Sequence, residues 1–109
     1  MENIIDINKI FIKASNYVQS GMAKKQFPNQ NELSNDYKLH FYGLFKVATL
    51  GTNTTAKPGF FDFVGKAKWD SWTKLSNKTK NEAKKEYIKL LNNIAPGWQI
   101  FYDSNIYKN

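Results

Sequence analysis

The chain has 109 residues, a length that suits one domain with a modest core and leaves little room for a second. Apolar residues at 41% and charged residues at 23% lie near globular averages, which excludes wholesale disorder, fibrous repeats and a membrane-spanning class. The lack of cysteine excludes disulfides and zinc-thiolate sites, and a net charge of +7, carried on sixteen lysines and no arginine, predicts an anionic partner.

Lysine meets phosphate as a mobile point charge, whereas reading base edges in pairs of hydrogen bonds calls on the planar guanidinium of arginine. Sequence-specific DNA recognition is therefore disfavoured, although a codon bias toward Lys and Asn would give the same composition. No window approaches the roughly 20 consecutive apolar residues that span a bilayer, and MENIIDINK lacks the basic-then-apolar order of a secretory leader. The chain is expected to be soluble and cytoplasmic, with the N-x-T triplets at Asn53 and Asn77 occurring by chance.

Ile7, Ile10, Phe11, Ala14, Tyr17 and Val18 recur at spacings of three and four, which predicts a first amphipathic helix over about 7–20. Gly21 stops it, and KKQFPNQNE reads as a long exposed connection in which Lys24 and Lys25 face solvent. Ser34 as N-cap, Asp36 in the first turn and Gly51 as stop predict a second helix over about 35–50. Its apolar residues wrap more than one face, so one side packs on protein and the other meets something else. TNTTAKPGFFDF is predicted to be a loop over 52–64, pinned by Phe60, Phe61 and Phe63 buried against the core.

Trp69, Trp72 and Leu75 alternate with Lys66, Lys68 and Asp70, giving a third helix over about 65–75 with its tryptophans inward. Thr79 and Glu82 form a T-x-x-E capping box, and Ala83, Tyr87, Leu90, Leu91 and Ile94 continue a fourth helix over about 80–95, ended by Pro96-Gly97. The tail WQIFYDSNIYKN is short and unperiodic and is expected to fold back or fray. Strand signals and internal repeats are lacking, so the expected class is an all-α bundle of four helices in one domain, with a core over about 7–95 and a tail over 96–109.

Catalytic chemistry finds little support. His40 is the single histidine and has no serine or cysteine at a nucleophile spacing. The carboxylates are scattered, which argues against a paired acid-base site or an oxygen-ligand metal cage. Neither G-x-x-x-x-G-K-[ST] nor G-x-G-x-x-G occurs, so any phosphate must be held by side chains. On the second helix Leu39, Tyr42, Phe45 and Lys46 fall at i, i+3, i+6 and i+7, an aliphatic group, two rings and an ammonium on one face. Such a stripe is most often plain core with a lysine reaching out to water. It would equally suit a nucleotide, since a ring stacks on a base for roughly 1–3 kcal/mol and an ammonium neutralises phosphate.

Three blocks, FYGLFKVATLG, KPGFFDFVGKAKWDSW and AKKEYI, are similar to the acyl-CoA-binding protein family, whose pattern runs Y-x-x-Y-K-Q-A-T-x-G, N-T-x-x-P-G, D-F-K-G-K-A-K-W and A-x-x-x-Y-I. The resemblance covers about residues 7–95, and its D-F-x-G-K-A-K-W block is highly specific. It implies a four-helix bundle of up-down-down-up topology that binds long-chain acyl-CoA without chemical change, buffering and transporting it with no cofactor. By position, Tyr42, Lys46 and Lys68 match the residues that hold the 3′-phosphate of CoA, Phe45 the tyrosine that stacks on adenine, and Tyr87 a further CoA contact. Leu39 falls where the family lines its acyl groove.

The chain departs from the pattern at four positions. Phe45 lacks the phenol oxygen, Val64 replaces the lysine of D-F-K-G, Gln19 stands where many members carry a phosphate-facing lysine, and Lys38 stands where an apolar residue is usual near the acyl chain. Lys24 or Lys25 would then supply a missing phosphate contact. The implied partner is long-chain acyl-CoA bound by a monomer, with transient membrane or enzyme contacts and no nucleic acid. The alternatives are a basic nucleic-acid-binding helical domain, motivated by the charge, and a thioesterase, for which no nucleophile is visible.

Overall fold

The structure, a computed structural model, describes residues 6–106. The first five residues of the stretch read above for a leader, and the last three of the tail, lie outside it. The described residues contain six helices and no strand: α1 (Ile7–Gln19), α2 (Met22–Gln26), α3 (Asn35–Leu50), α4 (Phe63–Lys74), α5 (Lys80–Ile94) and α6 (Trp98–Asn105). They form two compact units, one of the chain up to Glu32 with the chain from Lys85 onward, the other Leu33–Lys84.

In the first unit Phe11, Ala14 and Tyr17 of α1 are buried, as are Tyr87 and Leu91 of α5, Ala95, and Trp98 of α6. Phe11 meets Tyr87 edge to face at 5.2 Å, and Tyr17 meets Trp98 at 5.8 Å. Gly21, at φ +74°, ends α1 and starts α2 at once, a left-handed turn that glycine adopts without steric cost. The 21–34 connection is therefore not wholly irregular. Met22–Gln26 coils into a single turn because MAKKQ is made of good helix formers, and five residues are too few to show a period. Gln26 then accepts from the Tyr17 hydroxyl at 2.6 Å and donates to the Pro96 carbonyl at 3.0 Å. The tail also folds: Gly97, at φ +80°, turns the chain into α6, and buried Trp98 donates to Asn92 Oδ1 at 2.8 Å.

In the second unit α3 starts where Ser34 Oγ accepts the Tyr37 N–H and stops where Gly51, at φ +85°, donates its N–H to Val47. Phe41, Leu44, Val47 and Ala48 form its buried face, whereas Leu39, Tyr42, Phe45 and Lys46 are half-buried. The stripe picked out by spacing is thus the helix's second face. Helix α4 begins two residues earlier than predicted because Asp62 is its cap, accepting the Gly65 N–H at 2.9 Å. Its Trp72 is buried and donates to the Gly51 carbonyl at 2.8 Å, while Trp69 is half-buried and donates to the Thr55 carbonyl at 3.1 Å. The capping box of α5 forms as read, with Thr79 N to Glu82 Oε1 at 2.8 Å and Glu82 N to Thr79 Oγ1 at 3.0 Å.

The three phenylalanines expected to pin a loop over 52–64 do not do so, and the loop itself ends at 62, before α4. Phe60, Phe61 and Phe63 are 76, 80 and 71% exposed. The loop is held by polar groups instead: Asn53 donates its N–H to Ser76 Oγ and its amide to Thr73 Oγ1, both at 3.0 Å, and accepts from Thr55. With those bonds and the two indole N–H groups fixing the path, no burial of phenylalanine is needed to order it.

Candidate functional site

The site is built on the pairing of α3 with α4. At Gly43 the helices approach so closely that an added Cβ would lie 2.5 Å from Ser71 Oγ and 2.8 Å from the Ser71 carbonyl. Ser71 Oγ also donates to the Leu39 carbonyl at 2.6 Å, fixing the register of the two helices. That register brings the Lys68 ammonium 5.5 Å from the centre of the Tyr42 ring. One turn along α3 from Tyr42, the Lys46 ammonium lies 5.8 Å from the same ring and 4.8 Å from that of Trp72. Both distances fall within reach of cation–π attraction. Tyr42, Lys46 and Lys68 thus form one constellation: a half-buried aromatic ring flanked by two positive charges.

Beside it runs a groove of about 460 Å³ lined by Asn35, Lys38, Leu39, Tyr42, Phe63, Val64, Ala67 and Lys68. Its volume lies within the roughly 300–1,000 Å³ typical of small-molecule sites. Leu39, Tyr42, Phe63, Val64 and Ala67 supply apolar wall, and the two lysines supply positive charge. The surface therefore offers, side by side, an apolar channel and a cationic aromatic shelf, which suits a ligand with a hydrocarbon part and an anionic part. Phe45 lies on the same half-buried face of α3, between the buried residues Leu44 and Val47 in sequence and next to Lys46.

A second hollow, of about 570 Å³, shares Leu39 and Ala67 but is otherwise lined by Asp36, His40, Asp70, Ser71, Lys74 and Leu75. Two carboxylates in that lining repel a polyanion, so the smaller groove is the better match to a phosphate-bearing ligand. His40, exposed on α3, belongs to this second hollow.

Seven of the nine residues singled out from the sequence, Lys38, Leu39, Tyr42, Phe45, Lys46, Val64 and Lys68, lie in the second unit. Gln19 and Tyr87 belong to the first. Gln19 is exposed at the end of α1. Tyr87 is 1% exposed against Phe11, and burial pushes its phenol well above the ordinary tyrosine range. Lys24, offered as a substitute phosphate contact, donates to the Pro28 and Gln30 carbonyls of its own loop at 3.1 and 3.4 Å. Among the described residues no cluster of His, Cys, Asp and Glu that could hold a metal ion is present. Phe63, Ala67 and Trp72 were not singled out as site residues, although 63, 64, 67 and 68 fall on one helical face once α4 is known to begin at Phe63.

The family model described as Acyl CoA binding protein matches residues 8–91. Acyl-CoA-binding protein homolog 3 of Caenorhabditis elegans is 49% identical over 61 residues, covering 56% of this chain and 53% of that protein. Acyl-CoA-binding domain-containing protein 6 homolog of Dictyostelium discoideum is 36% identical over 100 residues, covering 92% of this chain and 32% of that protein. The alignments thus span about half and about a third of these two relatives' lengths. The crystal structure of acyl-CoA-binding protein 2 of Oryza sativa superposes with a TM-score of 0.69 at 27% identity, covering 95% of this chain and all of that one. The all-helical fold read from the sequence is therefore the helical bundle of that structure. With a family match spanning most of the sequence and a fold in common, the chain belongs to the acyl-CoA-binding protein family.

Proposed function

We propose that this chain binds long-chain fatty acyl-CoA reversibly and without chemical change, sequestering and carrying it in the cytoplasm as a single-domain monomer. The observation that carries this reading is the adjacency of the Tyr42–Lys46–Lys68 constellation to the apolar groove of Leu39, Phe63, Val64 and Ala67. CoA is a polyanion with a flat base, and its acyl chain gains about 0.8 kcal/mol for each CH₂ it buries. The two lysines would hold the 3′-phosphate against the Tyr42 face, with Phe45 as the stacking surface for adenine and the groove taking the chain. Phe45 retains a full aromatic face, so stacking survives the missing phenol oxygen. Val64 gives up a charge and adds apolar wall to the groove that it lines. Lys38, in the same lining, would lay its aliphatic stem along the chain.

Calorimetry with palmitoyl-CoA, shorter acyl-CoAs, free CoA and duplex DNA tests this reading. Affinity should rise by up to about fifteenfold for each two carbons added until the groove is full. Free CoA should bind much more weakly, and DNA weakly with a steep salt dependence. If duplex DNA bound tighter than palmitoyl-CoA at physiological salt, the reading would be wrong.

A further inference from the structure

Phe60, Phe61, Phe63 and Val64, 76, 80, 71 and 69% exposed, crowd the junction between the 52–62 loop and α4. They are presented on a fixed turn. The Asp62 N–H donates to the Gly59 carbonyl and the Phe63 N–H to the Phe61 carbonyl, each at 3.0 Å, and the rings of Phe60 and Phe61 meet edge to face at 5.0 Å. The one acid in this stretch, Asp62, is turned back to cap α4. Around the turn stand Lys57, Lys66 and Lys68, and the Lys57 ammonium lies 5.7 Å from the half-buried Trp69 ring.

We infer that this turn is a docking surface for an anionic phospholipid bilayer. Ordered, outward-facing aromatic rings bordered by lysines fit the boundary between headgroups and acyl chains, where rings partition and ammonium groups meet phosphates. A second copy of this chain is a poor occupant, because each copy carries +7 and would set these lysines against its partner's. Phe63 and Val64 also line the groove beside Leu39 and Tyr42, so the groove opens on the docking face. If the groove holds an acyl chain, as the function proposed above requires, that acyl chain would pass between bilayer and groove along an apolar wall. The docking itself is independent of that function.

Vesicle flotation with the ligand-free protein tests the inference, using phosphatidylcholine alone and phosphatidylcholine mixed with phosphatidylserine. The protein should float with the anionic vesicles, less at about 0.5 M salt, and hardly at all with the neutral ones. The F60S/F61S variant should bind the anionic vesicles at least about tenfold more weakly. It should keep its far-UV circular dichroism and palmitoyl-CoA affinity, since neither ring is buried or lines the groove. Lys57→Gln should weaken binding to a smaller degree. A wild-type protein that ignores anionic vesicles overturns the inference, as does undiminished binding by F60S/F61S. Sedimentation showing a dimer that F60S/F61S abolishes would assign the patch to a second copy and also overturn it. Vesicle binding without acyl-CoA binding, or the reverse, separates the fate of this inference from that of the proposed function.

Discussion

Replacing Gly43 with alanine asks how closely α3 and α4 must approach. The new Cβ would lie 2.5 Å from Ser71 Oγ, 2.7 Å from Leu75 Cδ1 and 2.8 Å from the Ser71 carbonyl. Carbon contacts are most favourable at about 3.5–4.0 Å, so all three are short by roughly 1 Å. The Leu75 side chain can shift. Ser71 Oγ yields only by giving up its 2.6 Å bond to the Leu39 carbonyl, worth about 1 kcal/mol, and the Ser71 carbonyl is α4 backbone. Overpacking of this kind costs about 1–3 kcal/mol, against a gain of about 1 kcal/mol for alanine over glycine inside a helix. With the strained hydrogen bond included, the net expectation is about 1–3 kcal/mol of destabilisation, a melting point lower by about 4–5 °C per kcal/mol for a chain of this length. Leu39 and Tyr42 stand on one helix and Val64, Ala67 and Lys68 on the other, so parting the helices also widens the groove. Urea denaturation followed by circular dichroism, with palmitoyl-CoA calorimetry on the same protein, measures both effects. Adding Ser71→Ala to the alanine variant should recover only part of the loss, because the contact with the carbonyl remains. A Gly43→Ala protein as stable as wild type would refute the close approach.

Lys46→Met and Lys68→Met should each weaken palmitoyl-CoA binding by about tenfold to a hundredfold, the range for losing a charge-assisted contact, with little change in the urea midpoint. Their effect should largely vanish with a ligand lacking the 3′-phosphate, and an equal loss there would refute the assignment of that phosphate to the two lysines. Alkaline pH should destabilise the chain through two phenols. Burial raises Tyr17 from 10.0 to about 12 and Tyr87 still further. Below pH 10 both are neutral whether folded or unfolded; above it the unfolded chain loses its protons first, so stability falls as pH rises from 10 toward 12. In an absorbance titration of the six tyrosines, these two should ionise late or only on unfolding. Ionisation of all six together, with the circular dichroism still native, would contradict this.

Legibility of the sequence followed the range of the forces involved. Caps are local chemistry, so Ser34 and Gly51 bounded α3 and Thr79 with Glu82 opened α5 where the spacing placed them. Asp62 is a cap too, but it sits inside FFDF, where apolar neighbours hid it and set the start of α4 two residues late. The single turn α2 is shorter than any period, and α6 follows a left-handed glycine, with buried Trp98 as its first residue. The exposure of Phe60, Phe61 and Phe63 was missed for another reason. That cores are apolar does not make every apolar side chain core, and the loop is ordered by Asn53 and two indoles. Within the site, Leu39, Tyr42, Phe45 and Lys46 were visible as one stripe because they share a helix. Lys68 beside Tyr42 was not, since it depends on Gly43 letting α4 close in; the family pattern, not spacing, suggested it.

The placement of Lys46 has a physical logic that helix periodicity leaves open. A lysine in an aromatic stripe usually sends its ammonium to water, free of its neighbours. Here, among the described residues, the ammonium groups of Lys46 and Lys68 are held against ring faces and not by carboxylates. The difference matters for an anion. A carboxylate partner would neutralise the charge and have to be displaced, whereas a ring face orients the ammonium and leaves its charge and donors available. Cation–π contact at a partly exposed site contributes only about 0.5–1 kcal/mol, enough to narrow where the side chain points and too little to compete with a phosphate. Tyr42 and Trp72 thus orient two cations in advance, which would reduce the ordering cost of binding an anion there. It follows that Tyr42→Leu, which keeps the bulk and loses the ring face, should weaken palmitoyl-CoA binding even though both lysines remain. An unchanged affinity in calorimetry would mean that the lysines need no such guide.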